Sequence, residues 1–522
     1  MNLIALFLPR GYELIATTGN GKNSTNTAFA SAVVGLVALT FLLSIFISPY
    51  ADGLGVDREV FRYVGMVWHE GGLPYRDVFD HKPPFIYLIA NVFAPFGPWS
   101  FYVAGASFVS AAAVWLAAVL RRSGFQYYAL PSLAFVLLMR FGPIIEGGGL
   151  TREYTACFIL FFICSVLAHS GFVGLVAQGV LFGMVFLTQQ NEILCLLPLS
   201  FLSIWRASLG HDFKFLVAKG LRACLTFIAG LAIPLLVWYS YAESHGVWQA
   251  FVEEAFVFNT KYYISSKSLG TKVGETLAKL FSVRLASIVA LFGLATALLF
   301  GQIPKFWRLF LVYLWASMAF ALAGIALSGM HYGHYFLTLV PFLAVAIVPL
   351  LLGFSALAAG VAHIAISGKI VPHLPLLLVL ALVQPALEPE RIEKIGRKRQ
   401  GYPNFAEYEA LDKVAGKRGQ IYVFRNPSLL ALNTDRKVLA PSKYIFTHMW
   451  DMYPTWDADG KEFRGILSSL DAANTQYIVD FSSTSLIREP QQTQWNTYVL
   501  AHYDTLSTLN APKRHYLLVR KK

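Results

Sequence analysis

The stretch GGLPYRDVFDHKPPFIYLIA, residues 71–90, passes from a charged loop into an apolar helix. Arg76, Asp77, Asp80 and Lys82 crowd its first half, and Pro83-Pro84 closes it. Proline restricts the backbone and is tolerated in the first turn of a helix, so the pair fixes Lys82 where the apolar run begins. Upstream lie Asp57, Arg58, Glu59, Arg62 and Glu70, and before them an apolar run from about Phe29 to Pro49. Downstream, apolar runs of about 20 residues, the length that crosses a bilayer, recur to about Pro389. The hydrophobic fraction is 56% and the charged fraction 14%, where a soluble chain carries roughly a quarter charged residues. The chain therefore reads as an all-α polytopic membrane protein.

The sides follow from the basic residues. Arg121-Arg122 directly after the run Trp99–Leu120 mark a cytosolic end. Alternating from there puts Arg206, Lys214, Lys219, Arg222, Lys305 and Arg308 on the same side, which supports the count independently. Residues 50–98, 143–153 and 242–284 then become external loops, with Pro83–Phe96 too short to cross and expected at the interface. Runs at 354–366 and 374–387 bring the expectation to about 11–13 transmembrane helices. Residues 1–388 form the membrane part. From 389 to 522 the composition is that of a soluble domain. Ile421–Phe424, Tyr477–Asp480 and His515–Val519 read as short strands and Glu462–Ala472 as a helix, so a small α/β domain is expected outside the cytosol, without a catalytic constellation of its own.

Composition also excludes several functions. The formal charge of +12 is spread through short loops and forms no stripe for nucleic acid. Cys157, Cys164, Cys195 and Cys224 sit in or beside apolar spans without the spacing of a zinc site or a disulfide framework. Gly19-Asn20-Gly21-Lys22 lacks the spacing of a phosphate-cradling loop, and Gly147-Gly148-Gly149 reads only as a flexible turn. Nucleotide-sugar chemistry is unsupported.

The first loop is where chemistry is expected. Charge is costly where lipid excludes water, so a dense mixed cluster at the membrane surface either lines a cavity or pairs within a solvated loop. Asp57 lies just beyond the first span and Lys82 is held by the prolines, which sets one carboxylate and one cation at headgroup depth. Glu59, Asp80, His81 and Arg76 are further candidates there. A second set lies in Glu146, Arg152 and Glu153 of the next loop, and in His331, His334 and Tyr335 before a late span. His331 and His334 have a metal-like spacing but no evident third ligand. Lys261 lies in the long loop 242–284, which reads either as a mobile segment over substrate or as an amphipathic helix on the headgroups. Gln189-Gln190-Asn191 read as cavity-facing or as a simple polar turn.

With Asp57 followed by GGLPYRDVFDHKPP, the chain resembles the bacterial branch of the GT-C glycosyltransferases, which includes protein O-mannosyltransferases and aminoarabinose transferases. GMVFLTQQ (Gly183–Gln190) and HYGHYFLTLVP (His331–Pro341) are similar to later motifs of that branch, although a lysine often stands there in place of Gln189 or Gln190. The resemblance implies a GT-C fold and transfer of a sugar, with inversion, from a polyprenyl-phosphate donor to an acceptor hydroxyl on a lipid, glycan or protein. It implies Asp57 as general base, since a carboxylate beside the acceptor hydroxyl can take its proton. It implies Lys82, His334, Tyr335 and Arg76 around the donor phosphate, where positive charge steadies the leaving group. The family's second acid follows a threonine. Here Thr151 is followed by Arg152, and the acid, Glu153, stands one place later, with Glu146 as a substitute.

No cofactor is required by this chemistry, and a divalent metal is left open. The implied location is the inner (plasma) membrane, multi-pass, with the site on the extracytoplasmic face and a role in building cell-envelope glycans. A secondary transporter would show an internal inverted repeat and midplane charges, neither of which is evident. A non-catalytic scaffold would use residues 389–522 to hold a partner.

Overall fold

Where water is excluded, the backbone must satisfy its own hydrogen bonds, and the apolar runs form helices. The computed structural model describes residues 22–45, 48, 56–140, 142–169, 171–208, 213–263, 267–361, 413, 421–425, 427–445, 447, 450, 453, 455–480, 489–510 and 514–521. Helix α1 spans Lys22–Ser44, α2 Val56–His69, α3 Phe85–Phe93, α4 Ser100–Arg122, α5 Ala129–Met139, α6 Gly142–Ile145, α7 Thr151–Ala168 and α8 Phe172–Thr188. There follow α9 (Leu197–Ser208), α10 (Phe213–Ser244), α11 (Trp248–Val252), α12 (Leu269–Ser282), α13 (Leu285–Leu299), α14 (Lys305–Ser328) and α15 (Val340–Val361). Among the described residues, seven helices are long and apolar enough to cross a membrane, and Ala129–Met139 and Phe172–Thr188 are shorter apolar ones. The last expected apolar run, 374–387, and the boundary at 388 lie outside the described residues.

Two ends of the bundle are distinguishable. At the basic end, Arg121 Nη2 donates to Asn26 Oδ1 at 2.6 Å, and its guanidinium carbon sits 4.4 Å from the Phe29 ring centroid. That ties the start of α1 to the end of α4. At the opposite end Tyr102 donates to the Phe41 carbonyl at 3.0 Å, so α1 and α4 run antiparallel. This second end carries α2, the loop 70–84, α11, α12 and the C-terminal domain. Helices α8 and α10 pack closely through small residues. A Cβ on Gly179 would lie 2.1 Å from the Phe227 carbonyl oxygen, and one on Gly230 2.2 Å from that of Val176. Such spacing lets two backbones touch where no hydrophobic force separates helix from lipid.

Several expected boundaries shift. Residues 83–96 are not an isolated surface helix. A 3₁₀ segment, Ala94–Trp99, joins α3 to α4 across a left-handed Gly97 (φ 53°). The buried residues of α3, Ile86, Tyr87, Ile89 and Ala90, pack on α2, while Val92 stays 62% exposed. The expected loop 143–153 is shorter than read, because α7 already begins at Thr151. The long segment 242–284 is largely helical: α11 continues into π-helical turns at Glu253–Val257 and Asn259–Tyr263, and α12 follows.

In the C-terminal domain, β1 (Ile421–Phe424) and β2 (Tyr477–Asp480) occupy the ranges read from the sequence, and β4 (Arg514–Arg520) covers the third. The sequence reading missed β3 (Tyr503–Asn510). The sheet order is β1-β2-β4-β3, with β1 and β2 parallel (Ile421 opposite Tyr477) and the other pairs antiparallel. Short helices α16 (Ala431–Arg436), α17 (Lys461–Ala472) and α18 (Gln491–His502) accompany it. Phe424 stacks on Trp495 with centroids 3.7 Å apart. The domain docks on α2 and the loop after it. Arg62 Nη2 donates to Asp435 at 2.6 Å, the Ala440 amide to Tyr63 Oη at 2.6 Å, and the Phe79 amide to the Lys443 carbonyl at 2.9 Å.

Candidate functional site

The loop after α2 is built turn by turn to present Lys82. The Leu73 amide donates to Asp77 Oδ2 at 2.8 Å, and the Asp77 amide returns to the Leu73 carbonyl at 3.0 Å. Tyr75 sits at φ 68°, a left-handed conformation that costs a bulky residue on the order of 1–3 kcal/mol. Its ring is 1% exposed, wedged edge-on against Tyr87, Trp238 and Phe251, and its hydroxyl donates to the Lys82 carbonyl at 2.8 Å. That bond and the following Pro83-Pro84 hold the Lys82 backbone from both sides. The side chain of Lys82 is half-buried.

Asp80 supports the same turn from below. It accepts from Tyr87 Oη and from the His81 amide, both at 2.7 Å. Burial pushes its carboxyl up to about 6, despite those bonds and the charge of Lys82. Burial also drives Glu254 above its ordinary value; it accepts from the Asp80 amide at 3.3 Å and faces Lys443 Nζ at 3.4 Å. His81, buried next to Lys82, is held well below its ordinary value and is neutral. Because the folded protein binds the Asp80 proton more tightly than the unfolded chain, this group stabilises below its unfolded value of 3.8 and loses that contribution as pH rises through about 6. The difference is on the order of 3 kcal/mol. Asp80→Asn should therefore flatten the pH dependence of melting between about pH 4 and 6 relative to wild type, read by thermal melting in detergent. Parallel curves for the two proteins would contradict it.

Asp57 occupies the first turn of α2, where a carboxylate suits the helix dipole. It is half-buried and makes no hydrogen bond or ion pair with any described residue. Its charge is felt at Asp80, Tyr332, His334 and Tyr453, which places it among residues from α2, the loop after it, the late 3₁₀ turn and the C-terminal domain. Glu59, two residues on, points elsewhere: it is 1% exposed and ion-paired with Arg58 and Arg62. Arg76 is exposed and doubly bonded to Asp77, at 2.9 and 2.7 Å.

The glycine triplet is a defined turn. Glu146, Gly147, Gly148 and Gly149 all have positive φ (42°, 95°, 74° and 70°), a run that glycine alone adopts without strain. The turn sends Glu146 to the segment before α15. Its carboxylate accepts from the Gly333 amide at 2.6 Å and contacts His334 Nδ1 at 2.5 Å. Burial pushes the Glu146 carboxyl up, but the hydrogen bond and charge of His334 outweigh it and hold it below its ordinary value. The contact puts the proton on Nδ1 and leaves Nε2 as the ring atom available to a ligand. His334 and Tyr335 belong to a 3₁₀ turn, Gly333–Leu339.

Glu153 lies apart from any accessible wall. It is fully enclosed, with Arg140 Nη1 donating to Oε1 at 2.7 Å and the Gly149 amide to Oε2 at 2.8 Å. The expectation of a catalytic Glu153 does not fit this burial: the residue anchors the start of α7 to the glycine turn. Arg152 is 1% exposed and paired with Glu192. His331 lies against Glu275 and the Lys272 carbonyl, at 3.3 and 3.1 Å, and Lys261 is exposed, 5.1 Å over the Tyr262 ring. Among the described residues no three His, Cys, Asp or Glu side chains gather as metal ligands.

The sequence reading missed Lys443 and Tyr453. The cue in hindsight is compositional: YIFTHMW (444–450) and YPTW (453–456) are aromatic beyond the needs of a small sheet. Phe79 and Phe258 pack into that same aromatic cluster.

No protein-family model matches the sequence, and no curated protein matches it. Two solved structures are similar over nearly the whole chain. One is the crystal structure of ArnT from Cupriavidus metallidurans bound to undecaprenyl phosphate, with 14% identity, a TM-score of 0.59 and coverage of 94% of this chain and 98% of that one. The other is the same protein in the apo state, with 13% identity, a TM-score of 0.54 and coverage of 95% and 98%. At this identity the likeness shows the fold, and the fold is the GT-C architecture that the sequence resemblance implied.

Proposed function

We propose that this chain is an integral membrane glycosyltransferase that moves a sugar from a polyprenyl-phosphate donor to an acceptor hydroxyl on a lipid, glycan or protein. The observation that carries the proposal is that the charge of Asp57, a carboxylate without a hydrogen bond or ion pair among the described residues, is felt both at Asp80, which also feels the rigidly mounted Lys82, and at His334, which Glu146 orients. The neighbouring fold, solved with undecaprenyl phosphate bound, supports the donor class.

In this reading Asp57 takes the proton of the acceptor hydroxyl as its oxygen attacks the anomeric carbon from the face opposite the phosphate. The bond from carbon to phosphate oxygen breaks, configuration inverts, and polyprenyl phosphate leaves with its electron pair. Lys82 stabilises the charge that grows on that phosphate, and His334, with Tyr335 beside it, joins by donating Nε2–H when its ring carries both protons. Glu146 orients His334. Arg76 would join only by leaving Asp77, and Lys261 only by reordering of the π-helical segment. The basic residues Arg121, Arg122, Arg206, Lys305 and Arg308 at the far end support an extracytoplasmic site on the inner (plasma) membrane.

The test is a transfer assay on purified protein reconstituted in lipid, supplied with polyprenyl-phosphate hexoses and pentoses. Release of polyprenyl phosphate coupled to acceptor glycosylation is expected, and Lys82→Met should slow it about 100-fold. No transfer from any such donor, together with unchanged surface and lipid-linked glycans in a deletion strain, would defeat the proposal.

A further inference from the structure

We propose that Arg152 and Glu192 are positioning residues: they hold the Tyr335 ring, and through it the His334–Tyr335 pair, in the arrangement that receives the donor phosphate. The inference rests on the function proposed above and adds two residues that the reaction itself does not touch.

Arg152 stands in an unfavourable place. It is the second residue of α7, where a cation opposes the helix dipole, and it is 1% exposed. A buried guanidinium at the mouth of an apolar helix is costly and marks a functional position. Its Nε donates to Glu192 Oε1 at 2.7 Å, and Glu192 is also 1% exposed. On the other side its guanidinium carbon lies 3.1 Å from the Tyr335 ring centroid. Tyr335 is 4% exposed, and its ring meets that of His334 edge-on at 4.9 Å. Arg152 is thus a plate between an acid and an aromatic ring, a geometry that a planar guanidinium permits and an ammonium does not.

The pair is poorly arranged for stability alone. Arg152 Nη2 and Glu192 Oε2 are buried without a hydrogen-bond partner among the described residues. A buried ion pair is commonly replaced by apolar side chains without loss of stability, so the arrangement is better explained by what it orients. Its base is rigid. Gln189 accepts from Thr151 at 2.9 Å, Gln190 donates to the Ala255 carbonyl at 2.6 Å, and Asn191 donates to the Gly324 carbonyl at 3.4 Å. The three residues before Glu192 therefore tie it to α7, to the π-helical segment and to α14. The sequence feature read as a polar turn has a definite part: it fixes Glu192, which fixes Arg152, which fixes Tyr335.

Two variants test this. The double change Arg152→Met with Glu192→Leu removes both charges at similar volume. Arg152→Lys keeps the charge and loses the plane. Each is reconstituted in lipid, melted, titrated with undecaprenyl phosphate, and assayed for donor KM and kcat. The expected result is melting near wild type, binding of undecaprenyl phosphate weakened about tenfold, and donor kcat/KM lowered by at least a similar factor. A purely structural pair would lower melting and leave donor affinity of the folded fraction intact, which overturns the inference. If the double variant does not fold, Arg152→Lys decides by the same binding measurement. If wild type binds the lipid phosphate and the variants bind it equally, only this inference falls. If wild type does not bind it, the proposed function falls as well.

Discussion

Asp57→Asn should reduce sugar transfer by about 10²–10⁴-fold, the range for loss of a general base, while the protein still folds. The separation of effects follows from how little Asp57 does for the fold. It makes no hydrogen bond or ion pair among the described residues and is half-buried in the first turn of α2. Asparagine matches its shape and forfeits only the interaction with the helix dipole, about 0.3–1 kcal/mol. What it cannot do is accept a proton at neutral pH. Melting curves of the two proteins should therefore nearly coincide while kcat collapses and donor KM is retained. An Asn variant with full kcat would remove the assignment of Asp57 as base and leave the acceptor proton to another group.

Arg140→Met should instead unfold the protein without touching the chemistry directly, at a cost of about 3–5 kcal/mol. Arg140 and Glu153 have side chains 2% and 0% exposed, and the arginine also donates through Nε to Ser44 at 3.0 Å. Removing the arginine strands a carboxylate in a space shaped for an ionised pair. A Cβ on Gly105 would lie 2.6 Å from Glu153 Oε1, so α4 has no room to spare beside it. The double variant Arg140→Met with Glu153→Leu should recover most of the loss, since it removes both charges, although it leaves the Gly149 amide without its acceptor. Melting in detergent checks both. A single variant within about 1 kcal/mol of wild type would mean that water or a neighbour reaches Glu153, and its anchoring part would then be withdrawn.

How much of this was legible in advance varies with distance along the chain. Lys82 could be singled out because its constraint is local: Pro83-Pro84 follow it directly. The membrane helices were readable because apolar length and the placement of basic residues in short loops report on the solvent that each stretch meets, while the GT-C fold was expected only from the resemblance carried by GGLPYRDVFDHKPP and the later motifs. The second carboxylate was not. A one-residue offset on a helix turns a side chain by about 100°, and that rotation carries Glu153 into the interior against Arg140 while Arg152 meets Glu192. Strand β3 escaped because YDTLSTLN has too few apolar positions to announce a strand. Its pairing with β4 makes it one.

By itself, then, the sequence determined a bundle of membrane helices, the end marked by Arg121-Arg122 and the basic short loops, and a charged loop with Asp57 and Lys82 at its edges. Each of these depends on a residue and its near neighbours. Tertiary structure decided which acid meets which base: Glu146 with His334, Glu254 with Lys443, and Arg62 with Asp435. A charge selects its partner from whatever the fold brings within about 4 Å, and across hundreds of residues no local pattern records that choice.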